Sequence, residues 1–279
     1  MTHARTSGAP PAQRRFRVGL IGRGSIAGHL ETLIGASDYP LTIIGSIGRS
    51  AGSNGTEFTE LCASADIVIE CASVDAVSTW APRVLASGTP LIITSVGALA
   101  NQALRHTLQA STTSFWLTTG AIGGLDLICA AALSGGLTGI KITTAKRAQA
   151  FNPALVAGLG EGRRTIFRGT PDEAIQAFPA TANVTVALSL SAPGVPVEVE
   201  VIADGSAERT VHRIQASGSA GSYDFRIDNE VNPENPKSSG LTARALLAAL
   251  VALAGGGIAL PSGHAPDLDP AVRLATRFI

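Results

Sequence analysis

The segment Gly22-Arg23-Gly24-Ser25-Ile26-Ala27 has the spacing G-x-G-x-x-G/A. Gly22 permits a tight turn, Gly24 lets the backbone approach a pyrophosphate, and Ala27 lets a following helix pack closely on the preceding strand. A helix opening at Ser25 and Ile26 would turn its unpaired N–H groups towards phosphates. The chemistry is therefore dinucleotide binding, with NAD or NADP as cofactor. An acid at the end of the second strand would hold the adenosine ribose of NAD. The chain instead has Gly45-Ser46-Ile47-Gly48-Arg49-Ser50 there. Arg49 is suited to a 2′-phosphate, which favours NADP without excluding NAD.

Small residues recur after the third and fourth apolar runs, at Ala72-Ser73 and at Ser95-Val96-Gly97-Ala98. They would let a nicotinamide ring lie close to the backbone, although tight strand–helix turns have the same composition. Of the five histidines, His3 and His264 lie in the terminal segments and His29 and His106 on predicted helices. His212 lies in a predicted strand, on the face of Ile214 and Ala216 and opposite Arg213. A neutral imidazole there could act as acid or base near pH 7, but on position alone a structural role leads. Asn235-Pro236-Lys237-Ser238-Ser239 precedes a helix predicted from Gly240. Ser238 or Ser239 is suited to cap it, and Lys237 adds a positive charge, so a carboxylate could bind; a capped helix with a solvated lysine is the alternative. The pairs Lys146-Arg147 and Arg163-Arg164 read as solvated surface.

These residues need elements to position them. Apolar runs at 16–21, 41–47, 66–71, 91–94 and 115–118 read as buried strands. Helical spacing falls between them, at 25–34, 74–87 and near 99–109. Such alternation predicts a parallel sheet with helices on both faces, a Rossmann-type α/β domain. After about residue 120 the rhythm changes. A helix at 125–133, a strand at 140–144, a helix at 171–178, alternation at Val197, Val199 and Val201, and strands at 211–216 and 223–227 predict an antiparallel sheet carrying helices. A helix at 240–254 follows. Residues 1–15 read as a disordered extension.

Several blocks together resemble the L-aspartate dehydrogenase family. They are Ala72-Ser73, Ser95 to Leu99, Gly120 to Asp126, Phe178-Pro179, Asn183-Val184, Val211-His212 and Asn235 to Ser239, in that order. The resemblance runs from about Phe16 to about Leu250. It implies an α/β fold: a Rossmann domain at 16–120 completed by 240–279, and a smaller α+β domain at 121–239 for substrate binding and dimerisation. It implies NAD(P)-dependent oxidation of L-aspartate to iminosuccinate, which hydrolyses to oxaloacetate and ammonia, or the reverse amination. His212 matches the catalytic histidine. Ala121 is expected beside the cofactor, with Gly22, Gly24, Ser25, Ile26, Arg49, Ala72, Ser73, Ser95 and Gly97. Asn183, Lys237, Ser238 and Ser239 are expected beside the substrate. Thr181 and Thr210 stand where family members usually carry asparagine, and Asp204-Gly205 where they tend to have Asp-Pro. The threonines keep a hydroxyl but lose an amide donor. A related imine or amino-acid dehydrogenase is therefore one alternative, and a non-catalytic NAD(P)-binding regulator another.

Composition narrows the class further. Lys and Arg number 21 and Asp and Glu 21, so net charge is zero and gives no basic excess for nucleic acid. No apolar run approaches membrane-span length. Cys62, Cys71 and Cys129 match no metal or redox spacing and read as reduced, buried thiols. The expectation is a cytoplasmic homodimer acting on a small molecule without a metal.

Overall fold

The computed structural model describes residues 14–48, 55–232, 235–255 and 269–279. Arg49, Ser50, His3, His264 and most of the expected N-terminal extension lie outside the described residues.

The first sheet contains β1 (Phe16–Ile21), β2 (Leu41–Ile47), β3 (Ile67–Glu70), β4 (Leu91–Ile93) and β5 (Phe115–Leu117), all parallel, in the order β2-β1-β3-β4-β5. β3 and β4 are buried along their whole length, and apolar except for Glu70 at the end of β3, because helices cover both faces. The helices are α1 (Ser25–Gly35), α2 (Thr56–Ser64), α3 (Val74–Ala86) and α4 (Gln102–Gln109). On α3, Val77, Trp80, Ala81, Val84 and Leu85 are buried at helical spacing, and Ser73 caps the helix by accepting from the Ala76 N–H. The helix expected near 99–109 is split into a 3-10 turn, Val96–Ala100, and α4, because the Asn101 side chain accepts from the Leu104 N–H and starts a new helix.

The second half opens with α5 (Leu125–Leu133), β6 (Gly139–Arg147), α6 (Pro153–Val156), β7 (Arg163–Gly169), α7 (Pro171–Ala177) and α8 (Ala182–Ser191). It continues with β8 (Val197–Asp204), β9 (Thr210–Gly218) and β10 (Gly221–Asn229). The sheet order is β10-β9-β6-β8-β7. The expected antiparallel sheet is corrected here: β6 and β8 run parallel, from Ile140 beside Val197 to Arg147 beside Asp204. Between them the chain crosses through β7, α7 and α8, the long connection that a parallel pair requires. Ile140, Ile142, Ile214 and Ala216 on the inner face join one core cluster with residues of the first sheet. The outer face is polar, with Glu200 bonded by Lys141 and Arg168.

β11 (Val231–Asn232) and β12 (Asn235–Ser239) form an antiparallel pair that leads into α9 (Leu241–Ala254). Ser238 and Ser239 are not the N-cap of this helix: Ser239 still pairs with Val231 in the strand, so Gly240 takes the cap position. The Ser239 Oγ nonetheless accepts from the Leu241 N–H at 3.1 Å. On α9, Ala243, Leu246, Ala249, Leu250 and Leu253 share a core cluster with Ala27, Leu30 and Ile34 of α1. After α10 (Pro270–Ala275), the chain end runs parallel beside β5, where the Ile279 N–H donates to the Leu117 carbonyl at 2.9 Å. Late residues thus build onto the first sheet.

Candidate active site

β1 lies between β2 and β3, so its carboxyl end is a topological switch point, where sheets of this kind bind ligands. Gly22 sits there with φ +119°, and an added Cβ would stand 2.7 Å from the Cys71 carbonyl oxygen. Only glycine allows the turn to pass so close to the end of β3. A Cβ at Gly24 would meet nothing within 4 Å. Gly24 caps α1 without a side chain, and no acid lies in the first helical turn. Open space before a helix N-terminus free of nearby carboxylates is what a pyrophosphate requires.

The loops after β3 and β4 are tied together by Glu70, which is fully buried. Its Oε1 accepts from the N–H groups of Ala72 (2.8 Å) and Ser73 (3.1 Å) and from the Ser95 hydroxyl (2.9 Å). Its Oε2 accepts from the Ser95 N–H at 2.9 Å. Burial pushes this carboxyl up from the ordinary range, against the opposing pull of those bonds. The Ser73 and Ser95 hydroxyls, expected beside the cofactor, therefore serve the α3 cap and the Glu70 brace.

A cavity of about 200 Å³ opens beyond the carboxyl ends of β4 and β5, against the second sheet. Its wall brings together five residues expected from sequence: Ile26, Ala121, Asn183, His212 and Ser239. Gly22, Gly24, Ser25, Ala72, Ser73, Ser95 and Gly97 lie outside that wall, in the glycine turn and the two braced loops. The backbone of Lys237 and Ser238 runs in β12, and their side chains lie outside the described set. His29 is buried on α1 and His106 exposed on α4, both away from the cavity wall.

His212 is 4% exposed and stands directly across the β6–β9 ladder from Thr144. Its Nδ1 and the Thr144 Oγ1 are hydrogen-bonded at 3.0 Å. The tautomer in which Nδ1–H donates to Thr144 leaves Nε2 with the lone pair a base needs. Burial, and then the charge of Lys146, push the imidazole down to about 3. Lys146 lines the same cavity, and burial lowers its pKa as well.

Asn183, at the start of α8, accepts from the Gly97 N–H at 2.8 Å through Oδ1. A Cβ at Gly97 would lie 2.9 Å from both this oxygen and the Ala182 Cβ. Gly97 is thus the point where the loop after β4 closes on the second half of the chain. Thr94, just after β4, is 5% exposed, and its hydroxyl oxygen has no hydrogen-bond partner among the described residues although the residue lines the cavity. Such a group suits a bound amide or carboxylate.

Glu70, Thr94, Thr144 and Lys146 were absent from the sequence-level site. The alternation Ile140, Ile142, Thr144, Lys146 along one face of β6 was the available signal for the last two. Of the two threonines replacing asparagine, Thr210 is in the cavity wall. Thr181 is buried and donates to the Phe178 carbonyl at 2.8 Å. Among the described residues no group of His, Cys, Asp and Glu could hold a metal ion, and no helix is long and apolar enough to cross a membrane. Cys62, Cys71 and Cys129 are buried and unbridged.

The family model "Aspartate dehydrogenase, C-terminal" matches residues 126–253, and "Homoserine dehydrogenase, NAD binding domain" matches residues 50–114. The chain is 34% identical to the L-aspartate dehydrogenase of Ruegeria pomeroyi, over 87% of this chain and 94% of that protein. It is 32% identical to the Methanosarcina mazei L-aspartate dehydrogenase, over 84% and 96% respectively. The crystal structure of aspartate dehydrogenase from Thermotoga maritima shares the fold, with a TM-score of 0.66, 24% identity, and coverage of 86% of this chain and 97% of that one.

Proposed function

The chain belongs to the L-aspartate dehydrogenase family, and from that premise we propose that it oxidises L-aspartate with NAD(P) to iminosuccinate, or runs the reverse amination. The observation that carries this reading is His212, neutral and buried in a small cavity beside Lys146 at the carboxyl ends of the first sheet. A cavity of about 200 Å³ is smaller than the roughly 300–1,000 Å³ of sites for drug-sized ligands and suits a small amino acid.

The residues fit a nicotinamide dinucleotide. Gly22, Gly24 and the N–H groups from Ser25 onwards hold the pyrophosphate. The loops braced by Glu70 present Ala72, Ser73, Ser95 and Gly97 as close backbone, while Ile26, Thr94 and Ala121 face the reacting end. The cofactor supplies hydride transfer at its nicotinamide ring. His212 takes a proton from the substrate amine or from the water that attacks the imine. Lys146 attracts one carboxylate. Ser239 and the start of α9 face the other, with Lys237 and Ser238 in the preceding strand and Asn183 across the cavity.

NADP is the preferred cofactor in this reading, since no carboxylate occupies the end of β2 from Gly45 to Gly48. Residues 16–120 with 240–279 act as the cofactor domain and 121–239 as the substrate and dimerisation domain; the separate sheets and the seat of α9 on α1 support that division. A cytoplasmic homodimer completes the reading. Absorbance of the reduced nicotinamide, followed with L-aspartate and either cofactor, tests it. Turnover that falls about a hundredfold or more in His212→Ala is the expected result. No turnover with aspartate, together with measurable NADPH binding, overturns the substrate assignment.

A further inference from the structure

Arg23 occupies the first variable position of the glycine motif, and its side chain leaves the turn to reach the end of β2. Its Nη2 donates to the Ser46 carbonyl at 2.7 Å and its Nε to the Ser46 hydroxyl at 3.2 Å. The side chain runs over Gly48, where an added Cβ would stand 3.5 Å from the Arg23 Cδ and 3.9 Å from Cζ. The Arg23 stem thus lies in ordinary van der Waals range of Gly48, and the two bonds to Ser46 hold the guanidinium at the strand end. Those two bonds use two of the five guanidinium N–H donors, leaving the outer edge of the fork for a ligand.

The groove beside it, about 510 Å³, is lined by Arg17, Arg23, Ser46 and Ile47 on one side and by Glu57 and Glu60 of α2 on the other. In a sheet of this order, a dinucleotide whose pyrophosphate lies on α1 places its adenosine ribose at the end of β2. Among the described residues no carboxylate stands at the end of β2 to accept from a ribose 2′-hydroxyl; the acids that line the groove, Glu57 and Glu60, are on α2. We propose that Arg23, held in place by Ser46, binds the 2′-phosphate of NADP and is a determinant of cofactor choice in this chain. An arginine fork matches a phosphate bidentately. The inference rests on the NADP reading above and adds the residue that carries it.

The test is binding of 2′,5′-ADP and 5′-AMP to the full chain, measured by displacement of NADPH fluorescence, for wild type, Arg23→Gln, Arg23→Lys and Arg49→Gln. The quantity compared is the ratio of the two affinities within each variant, which cancels any general damage to the glycine turn. Wild type is expected to favour 2′,5′-ADP by roughly tenfold to a hundredfold, the range of charge-assisted hydrogen bonds. Arg23→Gln is expected to lose most of that ratio, and Arg23→Lys, which keeps the charge and loses the fork, to fall between. A ratio unchanged in Arg23→Gln but lost in Arg49→Gln overturns the assignment while leaving NADP as the cofactor. A wild-type ratio near one overturns the NADP reading itself.

Discussion

The proton affinity of His212 makes a prediction about stability that is independent of turnover. In the folded protein burial, and then Lys146, hold its pKa at about 3, against roughly 6.5 in an unfolded chain. Between those values the unfolded chain binds a proton that the folded protein refuses, so this group makes the protein less stable as pH falls. The destabilisation is absent well above 6.5, grows through the window, and is complete near the folded value. In full it amounts to about 5 kcal/mol for a shift down to about 3. At pH 6.5 the contribution is about 0.4 kcal/mol and at pH 5 about 2 kcal/mol, so the difference open to a simple experiment is about 1.5 kcal/mol. Urea unfolding of wild type and His212→Gln at both pH values isolates it, because every other titrating group is common to the two proteins. Wild type is expected to lose about 1.5 kcal/mol more than the variant on going to pH 5. Equal losses would mean that folded His212 takes its proton as readily as the unfolded chain does, and the argument for a buried neutral base would fail.

Two further substitutions probe the groups that sequence reasoning passed over. Glu70→Gln sets an amide NH₂ or a rearranged side chain against the Ser95 N–H, which Oε2 now accepts; a loss of about 1–3 kcal/mol in unfolding free energy and weaker NADPH binding are expected. Unchanged NADPH titration would show that the two loops hold their shape without the carboxylate. Lys146→Met removes the charge that depresses His212 and the cation proposed for a substrate carboxylate. The KM for aspartate should rise roughly tenfold to a hundredfold, and the imidazole resonances of His212 should titrate at higher pH. A KM that stays put would remove Lys146 from the substrate site.

Much of the scaffold was legible because its signals are local. Gly22 and Gly24 follow an apolar run and open a helix, and the steric demand at Gly22 confirms why that spacing exists. His212 could be placed on an inward face because Ile214 and Ala216 continue the alternation, and all three are buried. Pairing direction was less accessible. Alternation in β6 and β8 is the same whether the strands run parallel or antiparallel, and only the crossover through β7, α7 and α8 decides. Glu70 was invisible for another reason: its partners are backbone N–H groups in two loops, which no side-chain pattern encodes. Thr144 meets His212 only through strand register. In sequence Lys146 looks like half of a charged pair with Arg147, although it continues the inward face of β6.

The same geometry explains how a base so weak in the protein alone could still work. An imidazole with a pKa of about 3 is in its basic form at neutral pH, yet it accepts a proton poorly, since an effective base titrates near the working pH. Both causes of its weakness respond to the proposed substrate. A carboxylate drawn to Lys146 screens the charge that lowers His212. The second carboxylate brings negative charge into the same cavity, offsetting part of the burial penalty on an imidazolium. The carboxylate's charge in the same step also strengthens the hold of Lys146 on its proton, against the burial that lowers it. A dicarboxylic amino acid would therefore strengthen the base that acts on it. A monocarboxylic amino acid, bound through one end, would leave His212 closer to its depressed value. On this argument, selectivity for aspartate lies in proton transfer as well as in the fit of its second carboxylate.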